Sequence, residues 1–263
     1  HSTKVFRSRP SKAQRTNTLS SLRDAEIQRS SRWRPHYHFT PAKNWINDPN
    51  GLVVDGGEIH LFYQYNPFGD QWGHMSWGHA VSTDFLHWQE LPVAIAEDER
   101  VSIFSGSIVI DTQGSAGFGA GAWVAVYTGC LRRAEGGQAQ ELAFSTDRGR
   151  TWTKYARNPV LDLGMRDFRD PKVFWHAATS RWVMLVVLPD DRCVVFYTSR
   201  DLKQWHEASR FAAPFAGQGI WECPDLMCLP VPGEDDAWLL KVDALAGHPS
   251  GGSGARLFFG RFD

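Results

Sequence analysis

Beyond residue 34 the apolar residues of this chain come in short bursts rich in β-branched and aromatic types, with little of the spacing that marks amphipathic helices. The runs 59–65, 108–111, 123–128, 173–175, 182–188, 194–198, 238–242 and 257–262 read as strands, with Gly, Pro, Asp and Asn between them as turn formers. An all-β architecture follows. A polar-aromatic alternation, His36, Tyr37 and His38, reads as a partly buried strand, and a short helix is expected near residues 21–29.

Two series of motifs run through the strands. Ser82, Asp84 and Trp88, then Ser145, Asp147 and Trp152, then Ser199, Asp201 and Trp205 share the frame Ser-x-Asp with a Trp four or five residues after the Asp, starting 63 and 54 residues apart. The Ser-x-Asp unit suits a turn leaving a strand, and the Trp suits the start of the next. These three Trp are expected in the core rather than as sugar platforms. The second series is Asn-Asp-Pro at Asp48, Phe-Ser-Gly at Ser105, Arg-Asp-Pro at Asp170 and Glu-Cys-Pro at Glu222, with steps of 57, 65 and 52 residues. Multi-stranded units repeating at this period point to a β-propeller. The expected blades are 41–100, 101–165, 166–217 and 218–263, so residues far apart in sequence meet in a central funnel.

Composition adds a division. Residues 1–34 hold nine Lys or Arg against two acids, leaving 19 bases and 27 acids in 35–263 of a chain whose net charge is −1. The chain is therefore read as a basic polar extension, 1–34, and a propeller domain, 35–263. The Ser/Thr-rich tail beside an acidic body argues against a nucleic-acid partner, and no apolar run reaches the ~20 residues of a membrane-spanning helix. The four cysteines are too few and too irregular for a disulfide framework, and the spacing of Cys223 and Cys228 does not fit a zinc site. No metal or cofactor is expected.

The second series carries chemistry. Cleaving a glycosidic bond takes two carboxyl groups, a proton donor and a nucleophile or water-activating base, across an oxocarbenium-like transition state. Asp48, Asp170 and Glu222 place three carboxyls at equivalent positions of successive blades. An Asp-Pro alone is commonly a turn, but three acids in phase with an independent repeat are not so explained.

These blocks resemble the signatures of glycoside hydrolase family 32, the invertases, exo-inulinases and levanases. The likeness rests on Trp-Ile-Asn-Asp-Pro-Asn-Gly ending at Gly51, Phe-Ser-Gly-Ser ending at Ser107, Arg-Asp-Pro ending at Pro171 and Trp-Glu-Cys ending at Cys223. His-Leu-Phe-Tyr-Gln-Tyr-Asn-Pro from His60 and Trp-Gly-His-Met-Ser-Trp-Gly-His from Trp72 support it, as does Gly-Gly-Ser at Gly251. The resemblance implies a five-bladed propeller, of which this chain supplies about four blades, with the family's C-terminal β-sandwich absent. Completion by a further polypeptide or an oligomer is the matching expectation. It also implies a retaining enzyme releasing terminal fructose from sucrose or β-fructans, with Asp48 as nucleophile, Glu222 as acid/base and Asp170 as transition-state stabiliser. Asn47, Gln64, Trp72, Phe104, Ser105 and Arg169 match fructose-binding positions, and Cys223 is read as a packing neighbour rather than a nucleophile. Arg169 is expected to favour the ionised form of Asp170. His74 departs from the family, where Asn is common. A secreted or periplasmic location is favoured over a cytoplasmic one. Transfer of fructose to another sugar, a non-catalytic sugar-binding propeller, and the arabinan- or xylan-cleaving propellers remain as alternative readings.

Overall fold

The structure is a computed structural model that describes residues 34, 35, 37–213, 219–230 and 237–262. The chain divides into two compact units, 1–43 and 44–263. In the first, the Arg34 guanidinium captures the carbonyls of Thr40, Pro41 and Ala42. That capture curls the segment, and Tyr37 and His38 are exposed in a bend. The strand expected there is therefore not formed, since three alternating residues offer too few backbone bonds to hold one without a paired neighbour. His36 and the expected helix at 21–29 lie outside the described residues.

The second unit is built from four antiparallel meanders. Blade one is β1 (Ile46–Asp55), β2 (Glu58–Tyr65), β3 (Ser76–Ser82) and β4 (Trp88–Ile95). Blade two is β5 (Val101–Asp111), β6 (Ala122–Leu131), β7 (Gln138–Ser145) and β8 (Thr153–Lys154). Blade three is β9 (Arg169–His176), β10 (Arg181–Leu188), β11 (Cys193–Ser199) and β12 (His206–Ala212). Blade four is β13 (Trp221–Leu229), β14 (Ala237–Ala244) and β15 (Gly254–Gly260). No helix occurs among the described residues.

The Ser-x-Asp frame closes the third strand of each of the first three blades. Ser82, Ser145 and Ser199 are the last residues of β3, β7 and β11, and each hydroxyl donates to the Asp two residues on, at 3.1, 2.7 and 3.1 Å. That carboxylate accepts backbone N–H groups of the turn, as Asp84 does from Leu86 and His87. Each Trp indole then donates to the carbonyl three residues before it, Trp88 to Phe85, Trp152 to Gly149 and Trp205 to Leu202. The turn satisfies its own polar groups, and this is why one short motif can recur wherever a blade needs the same corner.

Between blades the sheets bury apolar faces against each other. Val53, Phe62 and Trp77 of blade one pack with Ile103, Trp123 and Tyr127 of blade two. Val124, Val126 and Leu142 of blade two meet Val173, Met184 and Val186 of blade three, with Trp205 in the same cluster. Leu185, Val194 and Phe196 of blade three meet Trp221, Leu240 and Val242 of blade four. Strands β6, β10 and β11 are thus covered on both faces and read as continuous apolar runs, whereas the outer strand β12 is almost wholly exposed.

Candidate active site

The first strand of every blade leaves regular pairing at the same place. Along β1 the pairing steps from Ile46–Tyr65 to Pro49–Tyr63, so Asn47 and Asp48 share Gln64 as their counterpart. Along β5 it steps from Ile103–Gly129 to Gly106–Tyr127, setting Phe104 and Ser105 against Thr128. Asp170 and Pro171 of β9 face Val186, and Cys223 and Pro224 of β13 face Val242, by the same two-for-one step. Each step is a β-bulge, which breaks the in-and-out alternation and re-aims a side chain. Asp170 and Cys223 adopt positive φ, 65° and 47°, a conformation that L residues hold only where their surroundings fix it. Gly106 marks how closely blade two is drawn in at its bulge, since a Cβ there would lie 2.2 Å from the Val126 carbonyl oxygen.

The bulges bring the three acids together. Ser105 donates to Asp48 Oδ2 at 2.6 Å. The Cys223 backbone N–H donates to Asp170 Oδ2 at 2.9 Å, while its Sγ lies 3.8 Å from Asp48 Oδ2 and 3.7 Å from Asp170 Oδ2. Burial and the two neighbouring carboxylates push the Cys223 thiol well up from its ordinary pKa, so it stays protonated and is no nucleophile at neutral pH. Arg169 sends Nε and Nη2 to Glu222 Oε1 at 3.1 and 2.8 Å, and Nη1 to Asp167 Oδ1 at 2.8 Å.

Arg169 favours the ionised form of Asp170, as its adjacency in sequence suggests. Burial raises the Asp170 pKa to about 7, outweighing the Cys223 N–H and the Arg169 charge that act the other way. The Arg169 guanidinium bonds to Glu222 and Asp167, and its Nε is 3.9 Å from Asp170 Oδ2.

All nine residues anticipated from sequence line one open cavity of about 540 Å³: Asn47, Asp48, Gln64, Trp72, Phe104, Ser105, Arg169, Asp170 and Glu222. Gln64 is buried and donates to the Ile103 carbonyl, which anchors the edge of the β5 bulge. Trp72 is exposed and meets Phe104 edge to face, the ring centroids 6.1 Å apart. Asn47 accepts from the Trp45 indole. His74 is engaged at Nδ1 by Glu97, which also binds Arg132, and does not line the cavity. Five side chains were missed: Cys130, Glu135, Gln138, Arg166 and Asp167 line the same cavity. Asp167 carried a readable sign, standing two residues before Arg169, whereas the loop from Glu135 to Gln138 has none. Among the described residues no three His, Cys, Asp or Glu side chains are grouped to hold a metal ion.

Chemically the cavity offers five carboxyls, a bonded hydroxyl, amides, two guanidiniums and two aromatic rings. Such a set suits a sugar, whose hydroxyls need polar partners and whose C–H surface packs on ring faces. Comparison with known proteins agrees with this chemistry. The N-terminal domain of the glycosyl hydrolases family 32 matches residues 38–263. The chain belongs to glycoside hydrolase family 32.

Within that family the levanase of Bacillus subtilis (strain 168) is 51% identical over 238 residues, covering 88% of this chain and 34% of that protein. The extracellular exo-inulinase of Aspergillus awamori is 41% identical over 260 residues, covering 88% of this chain and 48% of that protein. The crystal structure of an exo-inulinase from Aspergillus awamori superposes with a TM-score of 0.83 at 40% identity, covering 89% of this chain and 51% of that one. The fructofuranosidase of Schwanniomyces occidentalis complexed with fructose gives a TM-score of 0.81 at 41% identity, covering 88% and 47%. This chain therefore spans between a third and a half of the length of these family 32 relatives.

Proposed function

We propose that the 44–263 unit carries the reaction centre of a β-fructofuranosidase that releases terminal fructose from sucrose or β-fructans with retention of configuration. One observation carries the reading. Asp48, Asp170 and Glu222, from three different blades, converge on a single cavity otherwise lined with sugar-binding side-chain types, in a chain of a fructan- and sucrose-acting family.

In this mechanism Glu222 gives a proton to the glycosidic oxygen as Asp48 attacks the anomeric carbon of fructose, forming a fructosyl ester and freeing the rest of the substrate. Glu222, now a carboxylate, takes a proton from water. That water attacks the same carbon, breaks the ester and returns Asp48 to its starting state. Ser105 holds one oxygen of Asp48 at 2.6 Å, a hydrogen bond that fixes the carboxyl's orientation for attack. Asp170, buried and locked by the Cys223 N–H, binds fructose hydroxyls and becomes a stronger partner as charge develops on the sugar. Trp72 and Phe104 at the mouth cover the C–H faces of the sugar.

The exo-inulinase relatives are named as extracellular, and we read this protein as secreted on that ground. The substrate is a fructan or sucrose. The test follows the anomer of fructose released in the first seconds from sucrose, inulin and levan by NMR. Release of the β-anomer first supports the double displacement through Asp48. Release of the α-anomer first contradicts it.

A further inference from the structure

Asp170 is held by its backbone as well as by its carboxyl. Its N–H donates to Thr128 Oγ1 at 2.8 Å. Thr128, which faces the β5 bulge from β6, is 0% exposed. Its hydroxyl has one proton, and that proton goes to Gln140 Oε1 at 3.0 Å. Gln140, on β7 and also 0% exposed, spends its own Nε2 on the Phe168 carbonyl at 2.8 Å. The direction of every bond is thereby set. Because the amide nitrogen of Gln140 is bound to a carbonyl, only its oxygen faces Thr128, and Thr128 must present a lone pair to Asp170. One residue further out, Gln138 Oε1 accepts the Phe168 N–H at 2.9 Å.

Three side chains of blade two thus grip the backbone of residues 168–170 just where β9 enters its bulge at positive φ. Neither Thr128 nor Gln140 lines the cavity. Their side-chain hydrogen bonds reach the site through the backbone of Phe168 and Asp170, and the Asp170 carboxyl is met from the other neighbouring blade by the Cys223 N–H.

We propose that Thr128 and Gln140 are positioning residues for Asp170, forming a buried relay from blade two that fixes the bulge of blade three and so sets where its carboxyl meets the sugar. The inference rests on the fructosidase reading for its effect on turnover, and on geometry alone for its effect on Asp170. Thr128→Val keeps the side-chain shape but leaves the Asp170 N–H buried without an acceptor. Thr128→Ser keeps the acceptor.

The experiment compares wild type, Thr128→Val, Thr128→Ser and Gln140→Leu in kcat and KM for sucrose, at a temperature well below the unfolding midpoint of each. In parallel, the Asp170 carboxyl is titrated by NMR in carbon-13 aspartate-labelled protein. Thr128→Val is expected to lose kcat on the order of tenfold to a hundredfold with KM changed less than about threefold, Gln140→Leu to follow it, and Thr128→Ser to recover to within about threefold of wild type. The Asp170 titration midpoint is expected to move in Thr128→Val and to return in Thr128→Ser. Unchanged kcat and an unchanged Asp170 midpoint in Thr128→Val, even with a lowered unfolding temperature, overturn the proposal and leave the relay as fold support alone. Should the wild type release no fructose, the fructosidase reading falls, and the Asp170 titration still decides the positioning claim by the same criterion.

Discussion

Ser105 and Asp48 stand 57 residues apart, on the first strands of neighbouring blades, and are joined by a 2.6 Å hydrogen bond. Both occupy bulges. The bond occupies one oxygen of the carboxyl and holds its plane. Ser105→Ala removes the donor and adds no bulk, so the fold is expected to survive while kcat on sucrose falls about tenfold to a hundredfold, as for loss of a hydrogen bond to a charged group. Steady-state kinetics beside a thermal melt check this. A wild-type kcat in a well-folded variant would contradict it.

Asp170 predicts an opposition of stability and activity with a definite pH signature. Burial raises its pKa from 3.8 to about 7 in the folded protein. Between those values the unfolded chain has released the proton that the folded chain keeps, so ionisation costs stability progressively as pH rises from about 4 to about 7. Asp170→Asn removes the cost. Its unfolding temperature is expected to match wild type near pH 4 and to exceed it near pH 8, the gain reaching at most a few kcal/mol, while fructose release is nearly abolished. Thermal melts across that range check it, and a stability gap that narrows as pH rises would contradict the burial argument.

Gly106 tests the close approach of the second blade. A Cβ would sit 2.2 Å from the Val126 oxygen and 2.6 Å from the Tyr127 Cα, both backbone atoms. Gly106→Ala is expected to destabilise the protein by about 2–4 kcal/mol or to prevent its folding. Gly260, with nothing within 4 Å of its Cβ position, is the control, and Gly260→Ala is expected to change stability little. Equal effects in chemical denaturation would show that crowding does not account for the glycine.

Why some features were readable and others not follows from how local their physics is. Ser82, Asp84 and Trp88 make their hydrogen bonds within a single turn, so the frame shows itself in sequence wherever that turn recurs. Asp48, Ser105, Asp170 and Glu222 were legible because each blade repeats the step that starts its first strand. Strand β3 was not. It is buried along its whole length yet contains two Ser, a Gly and a His, whose side-chain hydrogen bonds go to His60, His74, Asp84 and Glu97 outside the strand, a partnership that no periodicity displays. The exposed outer strand β12 lacked any apolar pattern. Thr128, Gln140 and Gln138 serve the site from other strands through backbone atoms, and the bulges that make this necessary exist only in the pairing of two strands. The raised pKa of Asp170 was not legible either, because its burial is set only by the assembled blades. Adjacency to Arg169 in sequence says nothing of where the guanidinium turns.

The most direct test of the account is fructose released from sucrose by wild type, Asp48→Asn and Glu222→Gln, each confirmed as folded by its thermal melt. The account predicts release by the wild type and loss on the order of a thousandfold or more in both variants. Release by either variant at near the wild-type rate would contradict it.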